Sequence, residues 1–392
     1  MLSSTYSEVA LALSLTPAYA GQVPLSTPAP FPWLRRFASI GDSYSAGIGS
    51  GDRLDWSCSR YASSYPNILH TSLLGADASR THQFLACSGA TSAEILEKQI
   101  PALSDGLDLL TISAGGNDIG LSPILSNCVY QFYASGEDAC QTSMQEAKDR
   151  IANETQLYHD VTKLIEAARL KMNSEYGIIY YTGYATFFGT DDELCDNVTW
   201  AVWRNIERNK QYLKLSMRKE LNDMVRSVNA IIRKAVLATG RGVRFVDFDP
   251  RIEAARGRYC EANIKEPNPN RPDLAFYEWD TVDQGENRTA LQNYTGDGVP
   301  RGSFEEEIAE EINKTLQEHP AWSFDPEKGF VNRTKDSVTQ EGIVGDTIHW
   351  LIPDSYKRVF HLRPGGHRVV ARMVFEDLES LEKDKVGEAM EL

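Results

Sequence analysis

Long apolar runs, basic charge and paired cysteine motifs are all scarce in this chain of 392 residues. No stretch reaches the ~18 consecutive apolar residues that a membrane-spanning helix needs, which excludes a transmembrane segment. Lys and Arg number 40 against 55 Asp and Glu, a net charge of −15; that deficit argues against nucleic acid or an anionic membrane as a partner. None of the six cysteines, Cys58, Cys87, Cys128, Cys140, Cys195 and Cys260, stands in a C-x-x-C pair. Zinc-ribbon and thioredoxin-type chemistry is therefore not expected. Internal repeats are missing as well.

What is present reads as an ordinary globular protein, 42% hydrophobic and 24% charged, long enough to bury one large core. An even count of widely spaced cysteines implies three disulfides, although six cysteines allow about 15 connectivities. Asn153, Asn197, Asn287, Asn293, Asn313 and Asn332 each begin an N-x-[ST] sequon, more than chance gives, and they point to a glycosylated secretory protein. At the N-terminus, Val9 to Leu15 is a short apolar run and Ala18-Tyr19-Ala20 has the form of a cleavage site. Residues 1–20 are accordingly expected to be a signal peptide, despite a preceding segment that lacks Lys and Arg and includes Glu8.

Taken in order, the chain alternates strands and helices. After an extended, Pro-rich lead-in (residues 21 to 34), the spacing predicts strands over Phe37–Ile40, His82–Ala86, Leu107–Ser113, Gly177–Tyr184 and Val243–Phe248. Helices are expected over Tyr65–Leu74, Ser92–Gln99, Met144–Lys171, a stretch ending near Ala238, and Arg363–Leu381. Strand–turn–helix repetition implies an α/β fold with a central parallel sheet of about five strands. Residues 261–345 become rich in Pro, Asn, Gly and acids; they are read as an insertion over the sheet edge, carrying four of the six sequons. One domain is expected over 35–381, followed by an acidic, frayed tail at 382–392.

Chemistry concentrates at the predicted strand ends. Ser39-Ile40-Gly41-Asp42-Ser43 breaks an apolar strand at a glycine and would place Ser43 at the carboxyl edge of the sheet and on a helix N-terminus, where developing negative charge is favoured. The next two strands end at Gly89 and at Gly116-Asn117. In a parallel sheet these turns lie side by side, so the Ser43 and Gly89 amides and the Asn117 side chain could form an oxyanion hole. Of the seven histidines, His361 sits on a loop ahead of the last helix and can act as general base, whereas His367 falls inside that helix and reads as structural. The pair is spaced x₅, not at the i, i+4 interval of helical metal ligands, and no third ligand is evident; no metal is expected.

Gly41-Asp42-Ser43-Tyr44-Ser45, Gly89, Gly116-Asn117-Asp118 and His361 resemble, in order, the four blocks of the SGNH (GDSL-type) esterase and lipase superfamily. The resemblance covers roughly residues 35 to 250 and 350 to 380. It implies a three-layer α/β/α flavodoxin-like fold, Ser43 as nucleophile, His361 as base and no cofactor. The absence of G-x-S-x-G around Ser43 speaks against the α/β-hydrolase elbow. The Cys58-x-Arg60 loop with its following Tyr65-Pro66 is similar to the secreted, disulfide-bonded branch, which implies the pairs Cys58–Cys87, Cys128–Cys140 and Cys195–Cys260. Family members usually carry Asp three residues before the histidine; here that residue is Arg358, which cannot accept a hydrogen bond through its side chain. Either the Arg358 main-chain carbonyl takes the His361 Nδ1–H, giving a dyad, or Asp354 folds back to complete a triad. The expected activity is that of a secreted, monomeric carboxylic-ester hydrolase working through an acyl-enzyme. Its substrate is a lipid or small-molecule ester if the insertion is a lid. It is an acetylated or feruloylated polysaccharide if Phe276, Tyr277, Trp279 and Tyr294 form an aromatic platform, although such aromatics more often serve plain packing. A catalytically silent binding protein on the same fold is the non-enzyme alternative.

Overall fold

Phe37, Ala38 and Ile40 are wholly buried, and that apolar run gives β1 (Arg36–Gly41). In a computed structural model of the chain, β1 is joined by β2 (Thr81–Phe84), β3 (Leu109–Ser113), β4 (Ile178–Thr182) and β5 (Val243–Val246). Residues 31–55, 57–75, 77–130, 138–201, 210–240, 242–278, 281–283, 313, 316–317, 319–325, 329–334 and 357–390 are described. The five strands form one sheet in the order β2-β1-β3-β4-β5, every pair parallel. This is the flavodoxin-like 2-1-3-4-5 order, in which ligands bind beyond the carboxyl ends where strand order reverses, here between β1 and β3. Every residue of β3 and β4 is buried, so both faces are covered.

The helices Ala139–Ala152, Glu154–Arg169 and Leu215–Thr239 pack on one another, while Pro364–Met390 packs on the helical segment from Tyr65 to Leu73. Leu221, Met224, Val225, Val228, Ile231, Ile232 and Ala235 make the buried stripe of the Leu215–Thr239 helix, as their 3.6-residue spacing requires. The single helix expected over Met144–Lys171 is two. Asn153, at φ −78 and ψ 53, leaves helical geometry and separates them; a residue whose side chain competes for backbone groups is a natural breaking point. The last helix continues to Met390, beyond the frayed start expected at 382; Glu382 accepts the Trp33 Nε1–H at 2.9 Å and ties it to the body.

All three expected disulfides are formed: Cys58–Cys87, Cys128–Cys140 and Cys195–Cys260. The first part of the 261–345 segment is not an outer layer. Leu274, Ala275, Phe276 and Tyr277 are buried, and bridges Phe276↔Leu362 and Tyr277↔Val359 fasten them to the segment that carries His361. Phe276 and Tyr277 therefore do not form an exposed platform, and Trp279 and Tyr294 lie outside the described residues. So do residues 1–20, Asn287 and Asn293. Asn153, Asn197 and Asn313 are exposed, and Asn332 is partly so.

Candidate active site

The turn after β1 is built by exclusion. Gly41 has φ +136, and a Cβ there would stand 2.4 Å from the Ser113 carbonyl oxygen, so only glycine lets β1 run this close to β3. Its N–H and C=O are both taken by the buried Gln99 amide, at 2.8 and 2.9 Å. Asp42 then caps the short helix Ser43–Ala46: its Oδ1 accepts the Tyr44 N–H at 3.0 Å. Ser43 is the first helical residue, so its own N–H has no carbonyl partner inside the helix.

Above it, His361 Nε2 lies 2.6 Å from Ser43 Oγ, across 318 residues of chain. The other ring nitrogen, Nδ1, is 3.1 Å from the Val359 carbonyl oxygen. A carbonyl only accepts, so Nδ1 carries the hydrogen and Nε2 presents its lone pair to the serine hydroxyl. The expectation that the Arg358 carbonyl would take this hydrogen is corrected. Arg358 O already accepts the His361 main-chain N–H at 2.8 Å, closing a tight turn that brings the carbonyl of Val359 to the ring instead. Asp354 lies outside the described residues.

Asp42, 2% exposed, is held by more than its cap. Oδ1 also accepts the Ser113 hydroxyl at 2.9 Å, and Oδ2 accepts the Tyr184 hydroxyl at 2.6 Å. Burial nonetheless raises its pKa to about 6, and the hydrogen bonds offset only part of that rise. Tyr184 in turn accepts the Gly116 N–H at 3.0 Å, linking the turns after β1, β3 and β4. Neither Tyr184 nor Tyr44, whose hydroxyl donates to the Phe360 carbonyl at 2.6 Å, was marked by the sequence, because both act through contacts distant in the chain. The Tyr after Gly-Asp-Ser was the one local cue.

Gly89, at φ +85, has nothing within 4 Å of where a Cβ would be, and no backbone acceptor among the described residues takes its N–H. Asn117 gives one amide hydrogen to the Ala90 carbonyl at 3.0 Å; its NH₂ retains a second. Ser43, Gly89, Asn117 and His361 all line one cavity of about 800 Å³. Leu85, Leu121 and Leu125 supply apolar wall. The Cys58–Cys87 bridge borders it, and Ser88 N–H donates to the Cys58 carbonyl at 3.0 Å, fixing the turn that carries Gly89. His367 is fully buried and accepts the Tyr65 N–H at Nδ1, 3.3 Å away, so it is not brought to Ser43. Among the described residues no group of three or more His, Cys, Asp or Glu has an arrangement that could hold a metal ion.

A "Lipase" from Streptomyces rimosus is 36% identical over 151 residues, 38% of this chain and 53% of the relative. "Lipase 1" from Streptomyces coelicolor is 37% identical over 101 residues, 25% of this chain and 36% of the relative. The chain thus spans about half the length, or less, of these curated relatives. Among solved structures, the extracellular lipase of Streptomyces rimosus aligns with a TM-score of 0.47 at 24% identity, over 61% of this chain and 90% of that one. Phospholipase A1 from Streptomyces albidoflavus NA297 aligns with a TM-score of 0.46 at 23% identity, over 58% and 84%. Residues 39–265, more than half the chain, match the family described as GDSL-like Lipase/Acylhydrolase, and the chain belongs to that family.

Proposed function

We propose that the protein is a carboxylic-ester hydrolase that works through an acyl-enzyme on Ser43, with His361 as general base. The observation that carries this reading is the 2.6 Å contact between Ser43 Oγ and a His361 Nε2 whose lone pair faces it. Ser43 Oγ attacks the ester carbonyl carbon as His361 takes its proton, and the oxyanion gathers hydrogen bonds from the Ser43 and Gly89 N–H groups and the Asn117 amide. Loss of one such donor typically costs about 10²–10³ in kcat. The imidazolium then protonates the leaving alkoxide, the C–O bond breaks, and water activated by the same imidazole hydrolyses the acyl-enzyme. The Val359 carbonyl fixes the tautomer of His361 throughout.

A catalytically silent binding protein would need Ser43 blocked or His361 out of reach; the contact weighs against that alternative. The apolar wall of Leu85, Leu121 and Leu125 favours esters with an aliphatic acyl chain. The burial of Phe276 and Tyr277 weighs against the glycan platform. The name of the Streptomyces relatives supports a lipid-like ester in the same sense. Three disulfides among the described residues support secretion, since such bonds persist in oxidising compartments. Among the described residues, the exposure of Asn153, Asn197 and Asn313 and the partial exposure of Asn332 support their glycosylation. Initial rates on p-nitrophenyl esters from two to sixteen carbons, beside acetylated xylan, test the substrate class. Activity rising with chain length supports the lipid-like reading, whereas deacetylation of xylan with no gain from longer chains would overturn it.

A further inference from the structure

The loop that carries the base is held in a conformation that sequence-local forces do not favour. Phe360 has φ +67, a left-handed geometry that a bulky side chain rarely adopts. Its ring is clamped inside an aromatic box, 4.6 Å from Phe187, 5.2 Å from Tyr259, 5.5 Å from Phe188 and 5.9 Å from Tyr130, centroid to centroid. The Phe360 N–H donates to the Tyr277 carbonyl at 3.1 Å. This peptide geometry turns the Phe360 carbonyl towards Tyr44, which donates its hydroxyl at 2.6 Å. Tyr44 is 3% exposed, directly follows the nucleophile, and lies with its ring 5.2 Å from the imidazole of His361. It also meets Tyr184 in a T-shaped pair at 5.0 Å.

We infer that Tyr44 is a positioning residue: its hydroxyl, bonded to the Phe360 carbonyl, sets the register between Ser43 and His361. The two reacting groups are each one peptide away from this bond, Ser43 before Tyr44 and His361 after Phe360, so the Ser–His contact and the Tyr44–Phe360 contact close one small ring. Without the hydroxyl, a buried carbonyl loses its partner, and the strained Phe360 turn loses the restraint on the side facing the nucleophile. Misplacement of a base by about 1 Å can cost about 10²-fold in rate. The inference rests on the ester-hydrolase reading of the same site.

The test compares Tyr44→Phe, which keeps the ring and removes one oxygen, with Tyr180→Phe. Tyr180 donates to Asp377 at 2.6 Å, does not line the cavity, and serves as a control for lost stability. Well below the unfolding midpoint of either variant, Tyr44→Phe is expected to lower kcat at least tenfold with KM within twofold, and to slow fluorophosphonate labelling of Ser43 by the same factor. Tyr180→Phe is expected to lower the midpoint while leaving kcat and labelling unchanged. Wild-type kcat in Tyr44→Phe, or an equal loss in the control, overturns the inference and leaves the hydrolase reading standing. Should Tyr44→Phe not fold, Phe360→Leu, which removes the ring from its box and so relaxes the turn, is expected to show the same kcat loss at unchanged KM, and wild-type kcat there also overturns it. A wild-type protein that neither labels nor turns over an ester sinks both.

Discussion

Tyr184 donates its hydroxyl to Asp42 Oδ2 at 2.6 Å, across 142 residues, and so holds the carboxylate that caps the helix beginning at Ser43. Burial still raises Asp42 from 3.8 to about 6. Between about pH 4 and pH 6 the folded protein keeps a proton there that the unfolded chain has released, so stability from this site falls as pH rises through that window. Roughly two pH units correspond to about 3 kcal/mol. Urea unfolding of wild type and Asp42→Asn over this range is expected to give a difference that shrinks as pH rises and is flat above about pH 6. Parallel curves would mean that the carboxylate ionises as easily folded as unfolded.

His367 titrates in the opposite sense. Burial holds its pKa down from 6.5 to about 3, so the unfolded chain takes up a proton below about pH 6.5 that the folded protein refuses. Its contribution is complete above that value and is lost on acidification, about 2 kcal/mol by about pH 5. His82, stacked on Phe37 and held to about 3 by the same cause, acts in the same direction. Wild type is expected to lose stability from about pH 6.5 to pH 4 more steeply than His367→Gln. Equal slopes would show that His367 accepts a proton in the folded protein.

Whether a carboxylate assists His361 is read from Asp354. With the Val359 carbonyl at 3.1 Å from Nδ1, Asp354→Ala is expected to keep kcat within a few-fold of wild type. A loss near 10⁴ would instead assign the full Ser–His–Asp arrangement. Steady-state kinetics on a soluble p-nitrophenyl ester separates the two.

How far the sequence carries is clear from particular residues. The meeting of Ser43, Gly89 and Asn117 in one cavity was legible because each belongs to a strand-ending turn, and parallel strands put their ends together whatever lies between. His361 was legible from its place on a loop ahead of the last helix. The carbonyl facing its ring was displaced by one residue, because the left-handed turn at Phe360 has no signature in a phenylalanine. Tyr44, Tyr184 and Gln99 escaped notice because their roles consist of hydrogen bonds to backbone or carboxylate far away in sequence. Phe276 and Tyr277 read more readily as packing than as a platform, and they are buried; their pairing with the segment from Val359 to Leu362 had no cue in the flanking Pro, Asn and acidic residues.

Mass-spectrometric mapping of fluorophosphonate adducts on wild type, Ser43→Ala and His361→Ala decides whether Ser43 is a nucleophile activated by His361. One adduct on Ser43 is expected in wild type, none in Ser43→Ala, and labelling slowed about 10³-fold or more in His361→Ala, as removal of a base from such a pair does. An adduct on another residue, or a His361→Ala variant that labels at the wild-type rate, would contradict it.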